Sequence, residues 1–183
     1  MSAGDRGTAR PDGGADHKLG SGAARALSRW LGLSALALAW AGAALGAECD
    51  RAGFAAARQG QGPAVLCIDA AQGPVRLDVE IADTEAERER GLMGRRALAP
   101  GTGMIFVYPT PRRVAFWMHD TPLALDMLFI DAGGRIETLH QNARPYDDTP
   151  IWSAGPVLYV LEIAGGQAAA LGLRPGQRVA PLD

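Results

Sequence analysis

Two carboxylates stand inside apolar stretches of this chain, where acid and base chemistry could be placed. Asp126 lies within Leu123–Ile130 and Glu162 within Val157–Ile163, and both stretches have the composition of buried strands. Burying a lone carboxylate costs several kcal/mol, so each must be paired, hydrogen-bonded or protonated. Asp126 and Glu162 are therefore the candidate catalytic residues, as an acid and base pair. The alternative is that they are structural groups that hold the fold.

Two arginines are the natural partners for these carboxylates. Arg88 and Arg95 stand on a predicted helix and just after it, close enough to reach a neighbouring sheet. One interpretation is a pocket of arginine and carboxylate side chains that binds a polar ligand at the mouth of a barrel. The other is an ion pair that fixes the helix across the sheet, as buried arginine and carboxylate pairs often do.

The segment FWMHDT, residues 116–121, adds an aromatic ring and further polar groups. Trp117 could line a ligand pocket, since an indole supplies contact area and one donor, or it could be packing. The predicted ligand-binding residues are Arg88, Arg95, Trp117, Asp120, Thr121 and Asp126.

The same segment raises the question of a metal. Met118 and His119, with His140 and further methionines nearby in sequence, are soft ligands of the kind that copper takes in exported proteins. Adjacent strand residues point to opposite faces, however, and each methionine lies among apolar neighbours where it serves as a core filler. The sequence therefore predicts no metal site, and it indicates no cofactor.

The elements that must position these residues are mostly short strands. Alternation of apolar and polar residues predicts a strand over 75–81, and Thr84 with Glu87 forms a capping box that starts a helix over Thr84–Met93, ended by Gly94. Further strands are predicted over 103–108, 113–119, 123–130, 135–141 and 157–163 and near residue 179, with a long loop over 142–155. The fold class is mainly β, a compact barrel or sandwich of about seven short strands with one short helix.

Four motifs in this region carry a family resemblance. They are RERGLMGR at Arg88–Arg95, GMIFVY at Gly103–Tyr108, FWMHDT at Phe116–Thr121 and LDMLFID at Leu125–Asp131. In order and spacing the chain resembles the domain of unknown function 192 family over Val75–Val179. The resemblance implies a compact mainly β domain and brings no settled activity.

Two residues depart from the family pattern. The family usually has Asn where this chain has Asp120, and it often has Lys where this chain has His119. Replacing an amide with a carboxylate keeps the size but removes two donors and adds a charge. If the amide donates to a ligand in the family, this member binds something different.

The first part of the chain is typical of a secretion signal. Residues 1–29 are polar and basic, and they precede an uncharged apolar run, residues 30–45, followed by small residues. The run is shorter than the ~20 residues that span a bilayer. Residues 1–47 are predicted to be a signal peptide, with an uncleaved membrane anchor as the alternative, and the predicted location is the bacterial periplasm.

The two cysteines are predicted to form a disulfide bond. Cys49 and Cys67 both lie in the exported part, in a lead-in over 48–73, and a loop rich in Ala, Gly and Gln is predicted between them. Closing a loop of this length would stabilise the fold by about 3 kcal/mol on a chain-entropy estimate. The remaining residues, 74–183, form the single predicted domain.

Charge narrows the range of partners. After residue 47 the chain has no Lys, and its acidic residues outnumber arginines that are spread without a basic stripe, so nucleic acid is not an expected partner. The preferred interpretation is an exported β domain that binds a small polar molecule or a segment of an envelope protein. The alternatives are an envelope-acting hydrolase or isomerase that uses Asp126 and Glu162, and a structural or assembly factor. Whether the protein is an enzyme stays open at this point.

Overall fold

The computed structural model describes residues 51–60 and 64–182. Its helices are α1 (Arg51–Arg58), α2 (Glu85–Arg90) and α3 (Gln167–Ala170). Its strands are β1 (Ala64–Ala70), β2 (Gly73–Ala82), β3 (Thr102–Arg112), β4 (Ala115–Phe116), β5 (Leu125–Ile130), β6 (Ile136–Ala143), β7 (Ile151–Trp152), β8 (Val157–Ala164) and β9 (Val179–Ala180). The prediction of a mainly β fold is confirmed.

Seven of the strands form one curled sheet in the order β6-β5-β8-β3-β2-β1-β9. Neighbouring strands are antiparallel except β2 and β3, which are parallel and are joined through α2. Parallel neighbours require such a crossover connection. The remaining strands, β4 and β7, pair with each other in a separate two-stranded ribbon.

Residues near the end of the domain link the two sides of the curled sheet. Ile136 at the start of β6 donates from its N–H to the carbonyl of Gln177 at 3.0 Å and accepts from the N–H of Gly176 at 2.8 Å. Two residues further on, Val179 pairs with Ile68 in β1. The segment 176–180 therefore hydrogen-bonds both to β6 and to β1, which gives the sheet its barrel-like curl.

Two apolar cores lie on the two faces of the sheet. The first collects residues from seven strands, with Leu66, Leu77, Ile105 and Leu161 fully buried, and fills the inner face. The second lies on the outer face of β3, β5 and β8, and includes Met104, Phe106, Met118, Met127 and Phe129. The turn after α2, residues 114–123 and β7 cover this outer face. The central strands are consequently buried on both sides.

Helix α2 begins as predicted and ends earlier. The Thr84 side chain accepts from the N–H of Glu87, and the Glu87 carboxylate accepts from the N–H of Thr84 at 3.0 Å, which completes the capping box. The helix ends at Gly91, which has a φ of +46°, and not at Gly94. A side chain at Gly91 would also lie only 3.1 Å from the Phe106 ring. Both constraints favour glycine at that position.

Other element boundaries also differ from the prediction. The stretch predicted as a loop between the cysteines contains α1 and the start of β1, which continues through Cys67 and pairs along its whole length with β2. The predicted strand over 113–119 is reduced to the two residues of β4, and the long loop over 142–155 contains β7.

The predicted signal segment and Cys49 lie outside the described residues, so the signal peptide and the Cys49–Cys67 disulfide stay predictions. Within the described part of the chain, no helix has the length and apolar character needed to cross a membrane.

The carboxylate of Asp126 is completely buried, and it accepts only backbone hydrogen bonds. Its donors are the N–H groups of Asn142 at 2.8 Å, Gly166 at 3.1 Å and Ala168 at 2.7 Å. It therefore caps the start of α3, whose N-cap residue, Gly166, has no side chain to do so. Neither Arg88 nor Arg95 is its partner, contrary to the expectation, because three backbone donors from two distant segments, the end of β6 and the turn into α3, satisfy the carboxylate.

The substitution Asp126→Asn should destabilise the domain by about 3 kcal/mol. An amide has one acceptor oxygen, so its NH₂ group would face buried N–H donors. Urea denaturation followed by circular dichroism measures the change in the free energy of unfolding. Asp69→Asn, at an exposed residue of β1, is the matched control and should change it by no more than about 0.5 kcal/mol. Equal stability of the Asp126 variant and the wild type would contradict the capping role.

Candidate functional site

A cleft of about 610 Å³ opens on the outer face of the sheet, beside the second core. It is bordered by α2 and the turn after it, by the second half of β3, by Glu162 of β8, and by β4 with the segment that follows it. Its lining includes Arg88, Arg90, Leu92, Phe106, Tyr108, Arg112, Phe116, Trp117, Thr121 and Glu162. We refer to it as the Glu162 cleft. It is not at the mouth of the barrel, where the sequence had suggested a pocket.

Glu162 lies at the floor of this cleft. Strand register places it between Met104 of β3 and Met127 of β5, and only 4% of the residue is exposed. Within the described residues it makes no hydrogen bond or ion pair, and the predicted pairing with Arg88 or Arg95 does not form. Burial raises the pKa of its carboxyl to about 8. At neutral pH the side chain is therefore mostly protonated and can donate a hydrogen bond into the cleft.

Arginine side chains rise from two sides of the cleft. Arg88 is held by its Nη1, which donates to the carbonyls of Asp83 and, at 2.9 Å, Val107. Its guanidinium lies 5.4 Å from the centre of the Tyr108 ring, and that of Arg112 lies 6.0 Å from it. Burial raises the pKa of Tyr108, so its hydroxyl stays protonated. No hydrogen bond within the described residues uses the Nε and Nη2 donors of Arg88, so a ligand in the cleft can accept from them.

Aromatic rings form the apolar wall. Phe106 and Phe116 meet edge to face with ring centres 4.9 Å apart, and Phe116 meets Phe129 in the same way at 6.0 Å. Edge-to-face contacts of this kind stabilise a fixed ring arrangement. The wall is thus anchored to the second core and is preformed.

The FWMHDT segment alternates as the sequence predicted. Met118 is buried in the second core, while Trp117 is 53% exposed at the cleft and lies 5.2 Å from the His119 ring. His119 Nδ1 lies 2.9 Å from Asp148 Oδ1. The hydrogen bond with Asp148 and the nearby charge of Asp120 raise the pKa of His119.

The structure brings together four of the residues that the sequence singled out. Arg88, Trp117 and Thr121 line the cleft with Glu162. Thr121 is buried, and its hydroxyl donates to the carbonyl of His119 at 2.9 Å, so it shapes the segment and offers a ligand only its remaining acceptor capacity.

Three other predicted site residues lie elsewhere. Arg95 forms an ion pair with Glu80 beside a different depression, on the side of β2. The side chain of Asp120 is exposed outside the cleft lining, and its backbone has a φ of +47°, while its carbonyl accepts from the N–H of Gly94 at 2.7 Å. Asn and Asp both tolerate this conformation, so the exchange relative to the family pattern preserves the backbone shape. Asp126 lies within the fold, as described above.

The two candidate catalytic carboxylates do not face one cavity. In the β5–β8 register Asp126 is opposite Ile163 of the inner core, whereas Met127 is opposite Glu162 on the outer face. An acid and base pair requires both groups at one substrate. This geometry gives no support to a reaction that uses them together.

Sequence reasoning missed Tyr108, Arg90 and Arg112. Tyr108 and Arg112 belong to a strand that runs to residue 112, four residues beyond the predicted end. Pro109 and Pro111 come directly before Arg112 and favour a break between the predicted strands over 103–108 and 113–119, which hid the position of Arg112 beside the cleft. In the described segments, no group of three or more His, Cys, Asp or Glu side chains is arranged to hold a metal ion.

Glu162→Gln should change how stability depends on pH. The pKa of about 8 in the folded protein is above the ordinary glutamate pKa of 4.5, so the stability that protonated Glu162 contributes is complete below about pH 4.5 and is lost as pH rises through 8. Each pKa unit corresponds to about 1.4 kcal/mol, and the whole difference amounts to a few kcal/mol.

The measurement is urea denaturation between pH 5 and pH 9. As pH rises, the free energy of unfolding of the wild type should fall relative to that of Glu162→Gln. Glu89→Gln, at an exposed residue on the rim of the cleft, should follow the wild type. A gap that stays constant with pH would show that Glu162 titrates normally.

Comparison with known proteins confirms the predicted resemblance. The model of the domain of unknown function 192 family, described as Uncharacterized ACR, matches residues 67–181. A crystal structure of a candidate transcription regulator from Sinorhizobium meliloti is 43% identical with a TM-score of 0.62, covering 64% of this chain and 92% of that one. A protein of unknown function from Novosphingobium aromaticivorans is 40% identical with a TM-score of 0.64, covering 65% and 85%. No curated protein matches the chain significantly. With more than half of its length matched, this chain belongs to the domain of unknown function 192 family.

Proposed function

We propose that this protein is an exported domain that binds small organic acids in the Glu162 cleft. The carboxylate of the acid contacts the arginines, and the ring of the acid packs against Trp117. The observation that carries the proposal is an imbalance of charge. Arg88, Arg90 and Arg112 line the cleft and make no ion pair with a carboxylate of the described residues. Elsewhere Arg58, Arg76, Arg95 and Arg144 are paired with carboxylates. The other described arginines without such a partner, Arg96, Arg113, Arg135, Arg174 and Arg178, do not line this cleft, so the distinctive feature is three unpaired guanidinium groups in one lining.

The acidic residues at the cleft do not cancel this charge. Glu85 and Glu89 line its rim, but both are exposed, and neither lies within ion-pair distance of the three arginines. Glu162 is mostly neutral at pH 7 because of its burial. Three guanidinium groups in a concave surface concentrate positive potential there and suit a carboxylate, which they can meet with paired donors.

Glu162 supports a role in ligand recognition. A buried carboxyl without a partner destabilises the fold, and functional sites are common places for such groups. When protonated, it can donate to an oxygen of the bound molecule while the arginines hold the anionic end. The aromatic wall of Phe106, Phe116 and Trp117 then packs against the body of the ligand. This arrangement is typical of small-molecule sites, which combine apolar walls with a few placed polar groups.

Export to the periplasm is part of the proposal and rests on the N-terminal sequence alone. The basic segment, the short uncharged apolar run and the small residues after it support a signal peptide, with an uncleaved anchor as the alternative. The disulfide proposed between Cys49 and Cys67 is consistent with an oxidising compartment.

Isothermal titration calorimetry with galacturonate and benzoate tests the binding role, with maltose as a neutral comparison. Both acids should bind, and maltose should bind much more weakly. Arg112→Gln should weaken acid binding by about tenfold, which corresponds to one charged hydrogen bond. Arg96→Gln makes the same change in charge at an exposed residue outside the cleft and should have no effect. If neither acid binds, or if both variants behave alike, the site is not an organic-acid site.

The pH dependence of binding gives a separate test of Glu162. Affinity of the wild type for galacturonate should fall as pH rises through about 8, because the ionised carboxyl would repel the bound anion. Glu162→Gln should bind with an affinity that is nearly constant between pH 6 and pH 9. A pH-independent wild type would place the ligand away from Glu162.

A fusion of residues 1–47 to a phosphatase that is active only after export tests the location. Phosphatase activity in a Gram-negative host is expected. Replacing Leu36 and Leu38 with Arg in the apolar run should abolish it, because charges there prevent the segment from entering the export pathway. An inactive fusion would contradict the export proposal.

A further inference from the structure

The β4–β7 ribbon carries two exposed indoles beyond what packing requires. Strand pairing sets Ala115 opposite Trp152 and Phe116 opposite Ile151. Phe116 and Ile151 pack against the second core. Alternation therefore turns Ala115, Trp117 and Trp152 outward, and Trp117 and Trp152 are 53% and 59% exposed. Large exposed aromatic residues of this kind often mark binding surfaces.

The two indoles are close enough to act together. Trp152 lies directly across from Ala115, and Trp117 follows two residues later, so the two tryptophans are diagonal neighbours, roughly 7–8 Å apart at the backbone. The small side chain of Ala115 leaves the space between them open. The outer face of the ribbon thus offers two flat apolar surfaces in succession.

A second groove, of about 600 Å³, begins where Trp152 stands. Its lining includes Gln141, Asn142, Arg144, Asp147 and Trp152. Arg144 and Asp147 form an ion pair at 2.8 Å, so the groove carries little net charge. The side-chain amides of Gln141 and Asn142 are exposed and make no hydrogen bond within the described part of the chain. The groove therefore offers donors and acceptors for hydroxyl groups, whereas the Glu162 cleft offers cationic donors.

We infer that the ligand is an acidic oligosaccharide, with its acidic sugar in the Glu162 cleft and the following sugars stacked over Trp117 and Trp152 towards the second groove. The inference rests on the proposed function and names its ligand class. Sugar rings have an apolar face that packs on an indole and a rim of hydroxyls that suits amides. A cationic cleft, two indoles and a polar groove in succession match an acidic ring held at the arginines, followed by rings that contact the protein through their apolar faces and hydroxyl groups.

A proline-rich peptide is the other class of ligand that exposed aromatic residues can hold. The groove favours the saccharide because its free polar groups are planar amides beside a neutralised ion pair, and both suit rows of hydroxyl groups. A proline-rich segment has backbone carbonyls that can accept from the amide NH₂ groups, but it has no N–H or hydroxyl to donate to the amide oxygens, whereas sugar hydroxyls can do both.

The test is calorimetry on the full chain with trigalacturonate, galacturonate and a nine-residue polyproline peptide. Trigalacturonate should bind the wild type at least tenfold more tightly than galacturonate. Trp152→Ala should remove most of that gain and leave galacturonate binding unchanged, because Trp152 does not line the Glu162 cleft. Tyr146→Ala, at an exposed aromatic residue that lines neither groove, should leave both affinities unchanged.

The outcomes separate this inference from the proposed function. If galacturonate binds but trigalacturonate gains nothing, or its gain survives in Trp152→Ala, the inference is wrong and the acid site stands. If neither saccharide binds, the inference is wrong, and benzoate binding then decides whether the acid site stands. Polyproline binding that depends on Trp152, without a gain for trigalacturonate, would make the ribbon a peptide site and overturn the saccharide assignment.

Discussion

Burial of both faces of β3, β5 and β8 is the constraint on which the rest of this structure depends. Adjacent residues on such a strand point to opposite faces, and here neither face is open to water over residues 103–107 of β3, all of β5 and nearly all of β8. Every polar side chain in these strands must therefore find its partners within the protein or remain costly. Asp126 and Glu162 meet this constraint in opposite ways.

Asp126 points towards the inner core, where the turn into α3 and the end of β6 supply three backbone donors. Glu162 points outward, where methionines flank it and no donor reaches it. The first carboxylate is a structural element that joins three segments. The second has a pKa raised by burial to about 8, so it is mostly protonated at neutral pH and remains able to donate a hydrogen bond to a ligand. The difference between them is only the face of the sheet on which each lies.

Much of this arrangement could be predicted from the sequence, because its signals are local. The capping box identified the start of α2, alternation separated Trp117 from Met118, and two carboxylates within apolar runs marked positions of interest. The motif set also identified the domain of unknown function 192 family, whose model indeed matches.

The partners of those residues could not be predicted, because they depend on distant parts of the chain. The donors to Asp126 come from residues 16, 40 and 42 positions away. Arg95 stands in the same motif as Arg88, but the turn over Gly91–Gly94 directs it to Glu80 on the side of β2. Arg112 was hidden because strand β3 continues through two prolines, which usually interrupt a sheet. Sequence patterns therefore identified polar residues in unusual positions, such as Asp126, but could not identify the groups that contact them.

The segment 176–180 has a consequence for how the chain acquires its structure. It joins β6 to β1, two strands whose midpoints are separated by some seventy positions, and it follows both of them in the chain. Contacts of such long range close slowly, since much chain entropy must be lost before they form. During synthesis the sheet therefore stays open along this seam until nearly all of the domain has been made.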